Sequence, residues 1–183
     1  MKKIGFSGLI VILLVVVAAV ARIVNAQLHL PNYAPLIALS VFAGAVVKDK
    51  KWLAFLVPVF GQLLADVYFS LFTNIPGFYS FSGMVFNYGG LVAATWIGSR
   101  IVLKPMNALF ATLGGTVLFF IISNFGFFLE GWNTYSVSGL IKTYVDGIPF
   151  FKYTFEGNMI CGVAVFSAWF LLHKARAGAT QNA

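Results

Sequence analysis

The chain has 183 residues, 60% of them hydrophobic and 9% charged, with 12 basic and 5 acidic side chains and a formal net charge of +7. Soluble domains carry about a quarter charged residues, so this composition excludes a water-facing globule and predicts an integral membrane protein. The basic excess sits between apolar runs, where it reports topology rather than nucleic-acid binding, and the single cysteine, Cys161, excludes a disulfide framework or a thiolate metal cluster.

At about 20 apolar residues per crossing, the length predicts an all-α bundle of about six transmembrane helices. Residues 1–173 form one transmembrane domain, and 174–183 a short polar cytoplasmic tail expected to be disordered. The first span runs from Ile4 to about Val24, behind Met1-Lys2-Lys3. A signal peptide is the competing reading, because Val24-Asn25-Ala26 before Gln27 has the small-residue pattern of a cleavage site. The apolar run exceeds the usual signal core of about 7 to 15 residues, which favours an uncleaved helix. The second segment, Ala34 to Val47, is opened by Pro35, closed by Lys48-Asp49-Lys50-Lys51 and short for a crossing. Spans follow at Trp52–Phe72, about Gly83–Ile101, about Asn107–Phe128 and about Asn158–Leu172, with Pro76-Gly77 as a turn between the third and fourth. The longest connection is expected between the fifth and sixth, where Lys142, Asp146, Pro149 and Lys152 interrupt the apolar pattern.

Charge bias orients the set. Lys2, Lys3, Lys48, Lys50, Lys51, Arg100, Lys104, Lys174 and Arg176 fall on one side, against Lys142 and Lys152 on the other, which places both termini in the cytoplasm and the chain in the inner membrane.

Polar groups in hydrocarbon are costly, so their depth is informative. Arg22, Asn25, Asp66, Asn74, Asn87, Tyr88, Asn124 and Asn158 all fall in or near the outer half, and the inner halves hold little comparable. An outward-facing cavity needs such groups, with aromatic side chains from the outer loops behind them. The candidate substrate-binding set is therefore Arg22, Asn32, Tyr33, Asp66, Tyr79, Asn87, Asn124, Trp132 and Tyr144. An interfacial aromatic belt is the competing reading for the loop residues. At about 1.5 Å per residue, Arg22 sits roughly 25 Å above Gly5 and Asp66 roughly 21 Å above Trp52, so the two are expected to pair or to share a polar ligand. Gly90, Ala94 and Gly98, spaced by four, predict a close helix contact inside the bundle, as do Ala34 with Ala38, Ser40 with Gly44, and Gly114-Gly115.

No P-loop and no H-E-x-x-H occur, His29 and His173 fall on opposite faces, and Asp66 is the only acidic residue in a predicted span. A metal, a cofactor and an enzymatic activity are not expected, and any ATP-driven step falls to another subunit.

The run His29-Leu30-Pro31-Asn32-Tyr33-Ala34-Pro35-Leu36-Ile37-Ala38-Leu39 with Ala43-Gly44, Pro58 with Ala65-Asp66, Ser123-Asn124-Phe125-Gly126, and Gly139-Leu140 through Ile148-Pro149-Phe150-Phe151 resembles an uncharacterised family of bacterial six-span membrane proteins described as candidate transport proteins. In size and layout the chain is also similar to the substrate-binding S components of energy-coupling-factor transporters, an architectural likeness. Their first helix carries an alanine-x-x-x-alanine docking face, whereas that spacing falls here at Ala34 and Ala38. The likeness implies uptake of a small polar or aromatic metabolite or vitamin, with a separate coupling subunit and ATPase as partners. The alternative is a structural membrane protein of the rod-shape-determining type, acting by partner binding. The outer polar cluster favours the first, since a scaffold has no need of an intramembrane carboxylate.

Overall fold

A computed structural model describes residues 5–30, 32–74 and 81–181. Among these the chain is all-helical: α1 (Phe6–Gln27), α2 (Leu36–Val46), α3 (Leu56–Phe72) led in by a 3-10 turn (Lys51–Phe55), α4 (Phe81–Arg100), α5 (Pro105–Leu129) and α6 (Val137–Gln181). Four stretches, Phe6–Gln27, Lys51–Phe72, Pro105–Leu129 and Val137–Ala175, are long and apolar enough to cross a membrane. On α1 the side chains of Leu9, Leu13, Val16, Val17, Val20 and Val24 are exposed, while Val11, Leu14 and Ala18 face the bundle. An outward surface of bare aliphatic side chains suits lipid rather than water.

The short second segment is the centre of the fold. Every residue from Leu36 to Ala45 is buried, and α2 touches each of the other five helices. Its 11 residues span only about 16 Å, but protein surrounds it, so a helix too short to cross the bilayer leaves no backbone group facing lipid. Its first N–H groups have no help from the Pro35 side chain at the cap position. The cap comes from α6 instead: Asn158, fully buried, accepts the Ala38 N–H at 2.8 Å and donates to the Thr154 carbonyl at 2.7 Å.

Small residues let α2 and α4 meet backbone to backbone. A Cβ on Gly98 would collide with the Val41 carbonyl, and one on Gly44 with the Thr95 carbonyl. Gly115 faces Val41 and Ala94, while Gly114 beside it has open space. The four-residue spacing is thus internal packing. Buried Ser40, Thr95, Thr112 and Thr116 return their hydroxyls to the carbonyls of Leu36, Leu91, Ala108 and Thr112, one turn back.

The end of the chain departs from the sequence expectation. The expected long connection before a sixth span at Asn158 is instead helix: α6 starts at Val137, contains Pro149 and runs 45 residues, about 67 Å. Lys142 and Asp146 are an i,i+4 ion pair at 2.6 Å on its exposed face, so the charges that looked like a loop are a solvated helix face. One proline removes one backbone donor, and packing against α5 through Phe120–Tyr144 and Phe120–Phe151 ring contacts holds the helix across it. The expected disordered tail is also helical, from Lys174 to Gln181. The Pro76-Gly77 turn lies outside the described residues.

Candidate functional site

The Lys48-Asp49-Lys50-Lys51 cluster sits at the end of the bundle where α1 begins, and Ser7 there donates to Asp49 at 3.0 Å. At the opposite end, where α1 and α5 finish and α4 and α6 begin, lies a cavity of about 550 Å³. That volume falls within the range of small-molecule sites. Exposed Asn32, Trp132 and Asp146 stand at its mouth; buried Gln62, Leu36, Ile37 and Leu91 line its depth, and Phe119, Phe120, Phe127, Phe150 and Phe151 give it aromatic walls.

Arg22 and Asp66 are paired at 2.6 Å. Asp66 is 1% exposed, and its carboxylate also accepts Tyr88 Oη at 2.9 Å and Gln62 Nε2 at 3.3 Å. Three donors from three helices satisfy it, so it stays buried without an orphan charge. Arg22 differs. Only its Nη2 is engaged by Asp66; its Nε is buried with no partner, its guanidinium stands 5.6 Å from the Phe69 ring centroid, and a fifth of its side chain is still accessible. Arg22 lines the cavity and Asp66 lies behind it.

The lining amides follow one pattern. Asn87 Nδ2 donates to the Gly83 carbonyl and Asn124 Nδ2 to the Phe120 carbonyl, each at 2.8 Å, while Gln62 Nε2 serves Asp66 and Asn133 Nδ2 reaches Thr143 Oγ1 at 3.1 Å. Each of these four nitrogens thus gives at least one N–H to the protein, which fixes the orientation of its amide. The Oδ1 atoms of Asn87 and Asn124 have no protein donor among the described residues. Gly147 keeps α6 close here, since a Cβ on it would strike Asn124 Oδ1.

Of the residues expected from sequence, Arg22, Asn32, Asn87, Asn124 and Trp132 line this one cavity. Tyr33 does not: its hydroxyl donates to Glu156 Oε2 at 2.8 Å, and that hydrogen bond raises its pKa above the usual 10.0. Tyr144 also turns away, donating to the Ile121 carbonyl at 2.9 Å. Tyr79 lies outside the described residues. Sequence reasoning missed Gln62, Ser123, Thr143, Asp146, Phe150 and Thr154. The spacing of Thr143, Asp146, Phe150 and Thr154, by three and four, is the helical signal that marked them as one face. No group of three metal-ligating side chains occurs among the described residues.

No curated protein and no solved structure matches the chain. The model of the family of unknown function DUF6580 matches residues 2–180, nearly the whole chain, and the chain therefore belongs to that family.

Proposed function

We propose that this chain is a six-span solute-binding protein of the bacterial inner membrane, with both termini cytoplasmic, that takes part in uptake of a small polar or aromatic metabolite from the outer side. The supporting observation is the cavity at the end away from the Lys48-Asp49-Lys50-Lys51 cluster, with Arg22 only partly engaged in its wall. The lipid bilayer supplies its surroundings. By analogy with S components, a separate coupling subunit and ATPase supply the energy, because the chain has no P-loop.

Thermal-shift screening of the detergent-purified protein against vitamins, nucleosides, nucleobases and amino acids tests it. A ligand that binds only the folded state stabilises by mass action, so at least one compound should raise the melting temperature saturably. No stabilisation from any class would contradict solute capture and favour the structural alternative. Reporter fusions after Lys51, Lys104 and the C-terminus should read cytoplasmic, and fusions near Pro76 and Asn133 external; an external C-terminus would overturn the topology.

A further inference from the structure

The cavity's hydrogen-bonding inventory limits what fits it. Its two charged lining residues are each already neutralised, Arg22 by Asp66 and Asp146 by Lys142, both at 2.6 Å. A charged ligand that left water for the inner part of the cavity would find no unpaired counter-charge among the described lining residues, which makes its desolvation expensive. What remains unspent is directional. Arg22 offers the N–H donors of Nη1, beyond the Nη2 held by Asp66 and the buried Nε, and Asn87 and Asn124 offer carbonyl oxygens that accept from no protein donor among the described residues. Phe119, Phe120 and Phe151 line the same cavity and give it aromatic surface.

We infer that the ligand is a neutral, flat heteroaromatic ring whose edge carries both carbonyl oxygens and ring N–H groups, a lactam or imide. Its carbonyl accepts from Arg22, its N–H groups donate to the Asn87 and Asn124 oxygens, and its faces lie against the phenylalanines. Asp66 is a positioning residue: it fixes the guanidinium and cancels its charge, so that Arg22 acts as a hydrogen-bond donor more than as an anion receptor. The inference rests on the solute-binding reading and sharpens it to one ligand class.

The probes are ring systems that differ by single features: uracil, 1,3-dimethyluracil and orotate; xanthine and caffeine; and lumazine. Equilibrium binding is measured on the full-length purified protein. At least one of uracil, xanthine and lumazine should bind saturably. N-methylation, which removes the ring N–H donors, should weaken binding at least tenfold, and the added carboxylate of orotate should do the same. The double variant Arg22→Leu/Asp66→Leu, which leaves no lone charge, should fold and lose the affinity. Asp66→Asn should shift preference from uracil toward orotate, because it frees the charge of Arg22; a purely structural Asp66 would not move that ratio. Tighter binding of orotate than uracil by the unaltered protein, equal binding of the methylated rings, or no binding of any parent ring would each overturn the assignment. If the broad screen still finds a stabilising compound, cavity capture stands with another ligand class; if it finds none, capture itself fails.

Discussion

Asn158 and Ala38 lie 120 positions apart in sequence, yet the Asn158 Oδ1 accepts the Ala38 backbone N–H at 2.8 Å and closes the first turn of the central helix. The contact ties the wall of the cavity, α6, to the element around which all others pack. The start of α2 also lines the cavity through Ala34, Leu36 and Ile37, so fold and site share this junction.

Replacing Asn158 with leucine should destabilise by about 1–3 kcal/mol, since a buried N–H loses its acceptor with no water to replace it. Asn158→Asp, measured at a pH that keeps the buried carboxyl protonated, keeps an acceptor toward Ala38 and a donor toward the Thr154 carbonyl and should cost less. Denaturation in detergent, followed by helical circular dichroism, reads the difference; equal losses in the two variants would mean that the side chain acts by volume alone.

The Arg22–Asp66 pair predicts strong coupling. Arg22→Leu or Asp66→Leu alone leaves a charge uncompensated and should cost about 3–5 kcal/mol, while the double variant should be more stable than either. A double-mutant cycle on melting temperature and folded yield measures this. Additive losses would show that the two charges do not stabilise each other.

The α2–α4 contact separates two kinds of glycine. Gly98→Ala drives a methyl group into the Val41 backbone and should lose about 1–3 kcal/mol. Gly114→Ala, with open space and a helical backbone, should be neutral or gain about 0.5–1 kcal/mol. Comparable losses at both would place the helix contact elsewhere.

Tyr33 gives a pH signature. Its pKa is raised chiefly because the neutral hydroxyl donates to Glu156. A group with a raised folded-state pKa contributes stability that is complete below its unfolded value of 10.0 and is lost as pH climbs through the folded value. Stability should therefore fall above about pH 10 more steeply in the unaltered protein than in Tyr33→Phe. Parallel alkaline profiles would remove the Tyr33–Glu156 contact from the account.

The sequence made some of this legible for physical reasons. Arg22 and Asp66 could be matched because helical rise converts residue number into depth, and a lone charge at that depth demands a partner. Asn124 and Trp132 were legible as polar and aromatic groups at helix ends. The role of α2 was not, because the length rule for a span assumes a helix in contact with lipid, whereas α2 is sheathed by protein. The first turns of α6 were hidden by Pro149 and three charged residues, which resemble loop punctuation until the three-and-four spacing from Thr143 to Thr154 is read as a helix face. Tyr33 and Tyr144 carried the right chemistry, but side-chain direction depends on tertiary partners, Glu156 and the Ile121 carbonyl, that local sequence does not encode.

The most direct measurement places a reporter inside the cavity. Thr154→Cys in a Cys161→Ser background puts one thiol on the cavity wall, and a membrane-impermeant maleimide added to intact cells reports its access from outside. The account predicts labelling from the outer side that slows when the compound found by thermal-shift screening is present at saturation. Labelling only after the cytoplasmic face is exposed, or an outer-side rate unchanged by that compound, would contradict an outward-facing solute site.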